Sequence, residues 1–279
     1  MIVLSHFQAE QLLRAREAAS GEAGVSLDLE RTKSRVVLTP EGAQLSESVF
    51  LSWEDAEEIA DSETACFLVD EDGIHKIAFF SEEFNRYYSL RPTKRAPTML
   101  VGGFPMHRIK DIDPHTDTLN KIATVGPIRG DVLDTTTGLG YTAIEAARKA
   151  TSVTTIELDP TVIEICRFNP WSQELFTRDN IERLTGDAYE LVQDLPGGKY
   201  TFIFHDPPTF KLAGQLYSSE FYAHLLRLLR RGGKLFHYTG DLNSGAGATV
   251  AKGATRRLRE IGFKKVDRHP EAFGLVAHK

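Results

Sequence analysis

The chain has 279 residues, 41% hydrophobic and 26% charged, so it can bury a real core and is neither disordered nor fibrous in composition. Its length suggests two domains, no apolar run approaches the about 20 residues of a membrane span, and MIVLSHFQAEQLLRAR does not read as a signal peptide. A formal net charge of −6 gives no global basic signal for nucleic acid, although residues 201–279 carry 13 Lys and Arg against 6 Asp and Glu. The two cysteines, Cys66 and Cys166, are too few and too far apart for a disulfide framework or a zinc site. They read as small buried hydrophobes, and a reduced, cytoplasmic setting without a membrane partner is expected.

In chain order, HFQAEQLLRAREAA has a helical pattern, and strands are expected around residues 25–39. SWEDAEEIADSE predicts an acidic helix with Ser52 as its N-cap, and CFLVDEDGIHKIAFF predicts a hairpin turning at Asp72-Gly73. Residues 1–110 therefore read as a small α+β accessory domain. A linker with three prolines runs from about Arg91 to Asp113, and Asp113-Pro114 opens a helix to about Val125. Residues 111–279 form the second domain. Here short apolar runs (DVLD, VTTIEL, IERL, YTFIFH, KLFHYT) alternate with helical segments (YTAIEAARKA, PTVIEICRFN, AYELVQDL, SSEFYAHLLRLLRR), the last stopped by Gly232-Gly233. A Gly-rich stretch from Ser244 to Gly253 precedes the helix TRRLREIG, and FKKVDRH and AFGLVAHK close the chain as a pair of strands. Five parallel strands and a closing antiparallel pair make this an α/β, Rossmann-like domain.

The strongest local signal is DVLDTTTGLGYTA, residues 131–143, in which an apolar strand enters a glycine turn that opens a helix. Acids follow at successive strand ends: Asp134 before the turn, Glu157 nineteen residues after Gly138, and Asp187 after the third strand. Strand carboxyl ends are where open α/β sheets bind ligands. Glu157 is placed to accept ribose hydroxyls and Asp187 an adenine amino group. Asp134 suits an ammonium and disfavours the pyrophosphate of a dinucleotide. The candidate cofactor set is Asp134, Thr136, Gly138, Gly140, Glu157, Leu158, Asp187, Ala188 and His205.

After the fourth strand comes FIFHDPPTF. Two prolines make this loop stiff and hold Asp206 in one orientation. Carboxylate and carbonyl acceptors together can grip an amino group with its lone pair aimed at an electrophile, with no metal required. The candidate catalytic set is Asp206, Pro207, Pro208 and Phe210. His205, His237 and Tyr238, at neighbouring strand ends, could orient substrate or be structural.

Residues 131–279 resemble the class I S-adenosylmethionine-dependent methyltransferases, with their acid-and-glycine turn, an acid after strand two and Asp after strand three. The resemblance implies S-adenosyl-L-methionine as cofactor: Asp134, Gly138 and Gly140 on its methionine part, Glu157 on the ribose, Asp187 on the adenine. One departure is that Thr136 occupies the family's first glycine. Asp206-Pro207-Pro208 resembles the (Asn/Asp/Ser)-Pro-Pro-aromatic motif of amino methyltransferases, with Thr209 at the aromatic position and Phe210 one residue later. The whole-chain pattern also resembles a group of predicted archaeal-type methyltransferases with a DPP loop.

For the acceptor, residues 85–110 hold six Lys and Arg, no acid, and Tyr87 and Tyr88. Such a segment suits contacts to tRNA or rRNA and base stacking, and equally fits a solvated linker with packed tyrosines. Methylation of an RNA base amino nitrogen is the leading expectation. ELDPTVIEICR and GDAYELV also resemble spermidine synthases, which keeps an aminopropyl or metabolite transferase open, and a non-catalytic binding scaffold is a third reading. The sequence does not define an oligomeric state.

Overall fold

The computed structural model describes residues 1–210 and 212–279. The chain divides into two compact units, Met1–His115 with Thr161–Gln173, and Thr116–Pro160 with Glu174–Lys279. The first break therefore falls at 115/116 rather than 110/111. Residues 161–173, expected to serve only the second domain, group with the first. The reason is packing: Phe168 stacks on Phe79 at 5.5 Å, Trp171 Nε1 donates to the Leu29 carbonyl at 2.8 Å, and Arg31 donates to the Pro170 carbonyl.

The N-terminal unit holds a three-stranded antiparallel sheet (Ile2–Leu4, Phe67–Asp70, Gly73–Lys76) and a four-stranded one (Glu22–Val25, Ser34–Leu38, Gly42–Gln44, Phe50–Ser52). Helices His6–Glu17 and Trp53–Ala60 contribute Leu12, Trp53 and Ile59 to its apolar core. Ser52 caps the second helix, its Oγ accepting from Asp55 N at 3.0 Å, and the Asp70–Gly73 hairpin turns where the Asp72-Gly73 pair predicts. The proline-bearing linker is partly a correction. Arg86–Arg91, Thr98–Val101 and Phe104–Pro105 are strands of a second four-stranded sheet with Ala78–Ser81. Its Pro92 and Pro97 lie between strands, where a missing N–H costs no ladder bond.

The second unit is an α/β Rossmann-like sheet. Its strands are β1 (Asp131–Asp134), β2 (Ser152–Glu157), β3 (Ile181–Thr185), β4 (Tyr200–His205), β5 (Leu229–Tyr238), β6 (Lys265–His269) and β7 (Gly274–His278). The spatial order is β3-β2-β1-β4-β5-β7-β6, parallel up to β5 and antiparallel across β7. Strand β4 is buried along its whole length, as a central strand covered on both faces must be. The order reverses between β1 and β4, so the ligand crevice is expected at the carboxyl ends of those two strands.

The helices are α1 (Pro114–Val125), α2 (Tyr141–Ala147), α3 (Pro160–Phe168), α4 (Ala188–Asp194), α5 (Ser219–Leu228) and α6 (Gly245–Glu260), of which α3, lying in 161–173 but for its first residue, groups with the first unit. Two expectations change here. Helix α5 ends at Leu228, and Gly232-Gly233 lie inside β5 at an irregular register rather than stopping the helix. The Gly-rich stretch is the first half of α6, started by Ser244, whose Oγ accepts from Gly247 N at 3.0 Å. Glycine is needed there because a Cβ on Gly247 would lie 2.0 Å from the Asp241 carbonyl. Among the described residues no helix is long and apolar enough to cross a membrane.

The turn after β1 depends on Gly140, which N-caps α2 at φ +77° with Leu175 Cδ2 only 3.0 Å from where a Cβ would sit. Gly140→Ala should destabilise the protein by about 1–3 kcal/mol, measured as a lower denaturation midpoint. An unchanged midpoint would show that this turn tolerates a side chain.

Candidate functional site

Asp134 ends β1 with only 1% exposure. Its Oδ2 accepts from Thr155 Oγ1 at 2.9 Å, and that hydroxyl meets Thr137 Oγ1 at 2.7 Å, so a row of threonines braces the acid. Burial pushes the Asp134 carboxyl up to about 7; the Thr155 hydrogen bond opposes this and the negative charge of Asp206 adds to it. Glu157 ends β2, its Oε2 accepting from Gly138 N at 2.9 Å and its Oε1 from Asp159 N at 3.2 Å. Burial raises this carboxyl to about 7 as well, against those backbone bonds. Two adjacent strand ends thus present acids that are costly to ionise alone and that a bound cation would relieve.

The remaining members of the cofactor set fall around these acids. Asp187 caps α4, its Oδ1 accepting from Tyr189 N at 2.8 Å, followed by the buried Ala188. Leu158 is 42% exposed, an apolar surface at the same rim. Thr136 does something a glycine could not: its Oγ1 donates to the Asp206 backbone carbonyl at 2.8 Å, tying the β1 turn to the β4 loop.

His205 differs from its expected place. It is fully buried, its Nε2 faces the Leu216 carbonyl at 3.0 Å and its Nδ1 meets Thr135 Oγ1 at 2.7 Å. The carbonyl accepts only, so Nε2 carries the hydrogen and Nδ1 accepts from Thr135. The ring supports the two loops from below and offers no face to a ligand. His237 is buried too: Tyr222 OH donates to its Nε2 at 2.7 Å, and the two imidazoles stand 4.6 Å apart. Burial lowers His205 well below the ordinary histidine range and His237 to about 3, so both are neutral. Tyr222→Phe would leave a buried ring nitrogen unsatisfied. A loss of about 1–3 kcal/mol in chemical denaturation is expected, and wild-type stability would argue against this pairing.

In the β4 loop, Pro207 is buried while Pro208, Thr209 and Phe210 are exposed, Phe210 at 54% with its ring edge-on to Tyr217 at 5.5 Å. Tyr217 OH donates to the Pro208 carbonyl at 3.0 Å. Two of the loop carbonyls expected to hold an amino group therefore already accept internal hydroxyls.

The Asp206 side chain brings in a residue that sequence reasoning passed over. Lys121 Nζ lies 2.6 Å from Asp206 Oδ2 and 3.0 Å from Asp117 Oδ2, and 4.9 Å from the centre of the Tyr238 ring. The Lys121 side chain is only 6% exposed, that of Asp117 1% and that of Asp206 29%. Burial alone would lower the ammonium, but Asp206 and Asp117 hold it well above the ordinary lysine range. A signal existed: Asp117, Thr118, Lys121 and Val125 all lie on the buried stripe of α1, where polar residues are out of place unless paired.

The excess of basic residues near the C-terminus lies elsewhere. Arg230 and Arg231 open β5, and Lys264 and Lys265 precede or open β6, which runs parallel to β5. All four are exposed at the amino ends of the strands, opposite Asp134 and Asp206.

A seven-stranded sheet of this order, with acids at the ends of β1 and β2 beside a rigid β4 loop, defines a class I S-adenosylmethionine-methyltransferase-like fold. The family model described as "Conserved hypothetical protein 95" matches residues 117–231, from α1 to the start of β5. The chain belongs to the family of the "Uncharacterized protein MJ1233" of Methanocaldococcus jannaschii, with 40% identity over 277 residues, covering 97% of this chain and 93% of that relative. Among solved structures it is similar to the spermidine synthase of Thermotoga maritima (TM-score 0.56, 16% identity, covering 72% of this chain and 70% of that one). It is also similar to a spermidine synthase in complex with the transition-state analogue AdoDATO (TM-score 0.58, 17% identity, 72% and 71%). A third is MnmC2 from Aquifex aeolicus (TM-score 0.52, 18% identity, 68% and 70%). At these identities the likeness is one of fold.

Proposed function

We propose that the chain is an S-adenosyl-L-methionine-dependent methyltransferase acting on a neutral amino nitrogen, with an RNA base as the acceptor class. The observation that carries this is the Thr136–Asp206 hydrogen bond at 2.8 Å, which keeps the reaction loop against the turn that would hold the cofactor. The residues fit that cofactor: the buried carboxyl of Asp134, raised to about 7, gains a partner in a methionine ammonium. Glu157 keeps a lone pair for a ribose hydroxyl beyond the backbone groups of Gly138, Leu158 and Asp159 that it already accepts, and Asp187 and Leu158 stand at the adenine rim. When bound, the cofactor supplies an electrophilic methyl group on a sulfonium.

The chain's own residues supply alignment. Asp206 Oδ2 is taken by Lys121, leaving Oδ1 to accept an N–H of the acceptor and so turn the nitrogen lone pair toward the methyl carbon. Pro207 and Pro208 fix the loop, and exposed Phe210 stacks on a flat acceptor. RNA is favoured by the segment 85–110, which exposes Tyr87 and Phe104 among its six Lys and Arg, whereas Tyr88, the second tyrosine expected to stack, is buried.

The spermidine synthase likeness supports aminopropyl or metabolite transfer as a second reading, since two such structures cover 72% of the chain. Tritiated-methyl transfer into total RNA and, separately, into a polyamine-containing extract separates the two. Ribonuclease-sensitive label in RNA supports the first. Label confined to the extract, or aminopropyl transfer from decarboxylated cofactor, replaces it with the second.

A further inference from the structure

We infer that Lys121 is a specificity-determining residue, which lets Asp206 receive a neutral amino group and turns away an ammonium. The inference rests on the reading of Asp206 as the acceptor-binding group, and it adds a residue and a discrimination which that reading lacks.

The geometry has three parts. Asp206 is the one member of the Asp117–Lys121–Asp206 cluster with appreciable exposure, 29% against 1% and 6%, so a ligand reaches the cluster only through it. Its Oδ2 is occupied by Lys121 Nζ at 2.6 Å. Asp117, 3.0 Å away on the same helix, together with the Tyr238 ring face at 4.9 Å, keeps that ammonium from swinging aside.

The consequence for an acceptor follows from charge. A primary or secondary ammonium hydrogen-bonded to Asp206 Oδ1 would sit on the far side of one carboxylate from a buried ammonium. It would gain less from an acid already paired, because Lys121 leaves the Asp117–Lys121–Asp206 cluster with one net negative charge rather than two and stands as the nearest like charge in a poorly screened place. An exocyclic amino group of a base, or an amide, carries no charge and needs only an acceptor oxygen. Asp206 Oδ1 remains available to it. A polyamine site would call for the opposite arrangement, a carboxylate cluster with no resident cation. The other acids near this point, Asp134 and Glu157, end β1 and β2 and are assigned here to the cofactor.

Isothermal titration with spermidine tests this directly. Lys121→Met should bind spermidine at least about tenfold tighter than wild type, because Asp206 is then unpaired. Lys121→Arg, which keeps the charge, should behave as wild type. Adding Asp206→Ala to Lys121→Met should abolish the gain, and Lys121→Met with Asp117→Asn should retain it while removing the buried charge that Lys121 had neutralised, which covers poor folding of the single variant. Equal spermidine affinity in wild type and Lys121→Met, or a gain that survives Asp206→Ala, overturns the role of Lys121. A normal contrast in binding combined with no methyl label in RNA instead overturns the acceptor class and leaves Lys121 in place.

Discussion

Asp206→Ala is expected to lower methyl transfer by about 100- to 10,000-fold while S-adenosylmethionine affinity stays within about threefold of wild type. The separation of the two effects follows from the site. Cofactor contacts are assigned to the ends of β1, β2 and β3 and the acceptor contact to the Asp206 carboxylate, whose residue is joined to the β1 turn through its backbone carbonyl, which alanine keeps. Lys121 would retain Asp117 as a partner at 3.0 Å, so the variant leaves no lone buried ammonium and should fold. Single-turnover rates with saturating RNA, beside calorimetric cofactor binding, provide the measurement. Normal turnover with intact cofactor binding would remove Asp206 from the reaction.

The second large effect is at Asp134, where function and stability should move in opposite directions. Asp134→Asn is expected to weaken cofactor binding at least about 100-fold, since an amide cannot pair with the methionine ammonium. The same variant should be more stable than wild type without cofactor, and increasingly so as pH rises. Burial raises the folded-state carboxyl from an ordinary 3.8 to about 7. Between those values the folded protein holds a proton that the unfolded chain has released. Wild-type stability therefore falls as pH climbs through this window, and the loss is complete above about 7. Asparagine removes that penalty, on the order of 1–4 kcal/mol at pH 8 and close to nothing at pH 4.

The buried histidines act with the opposite sign. His237, lowered to about 3, and His205 are neutral when folded, so stability is lost as pH falls below the ordinary histidine value of 6.5. Because both remain in the variant, the difference between wild-type and Asp134→Asn melting curves across pH 5–8 isolates Asp134. A difference independent of pH would show that this carboxyl is not raised in the folded protein.

Much of the second unit was legible along the chain because its signals are local. Strands such as YTFIFH, a short and mostly apolar run, announce a doubly covered parallel sheet, and Asp134, Glu157 and Asp187 are found at the ends of β1 and β2 and at the cap of α4. The Asp206-Pro207-Pro208 loop likewise follows β4 directly. Where local rules failed, a distant partner had overruled them. The Gly-rich stretch Ser244 to Gly253 was expected to precede the helix TRRLREIG, yet the helix starts at its serine cap and includes the stretch, with Gly247 leaving room for the Asp241 carbonyl. The segment 161–173 follows β2 in sequence and groups with the N-terminal unit because Phe79, Leu29 and Arg31 hold its Phe168, Trp171 and Pro170.

The sequence by itself determined the class of fold and which acids stand at strand ends, since hydrophobic period, turn chemistry and capping act over a few residues. Tertiary structure alone decided the state of those groups. It buried His205 with both ring nitrogens engaged, and it placed Arg230, Arg231, Lys264 and Lys265 at the end of the sheet away from the cleft. It also brought Lys121 to Asp206 across 85 residues of chain. Burial, charge pairing and proton occupancy depend on what lies within a few ångströms in space, and those neighbours come from separate segments that only the folded chain brings together.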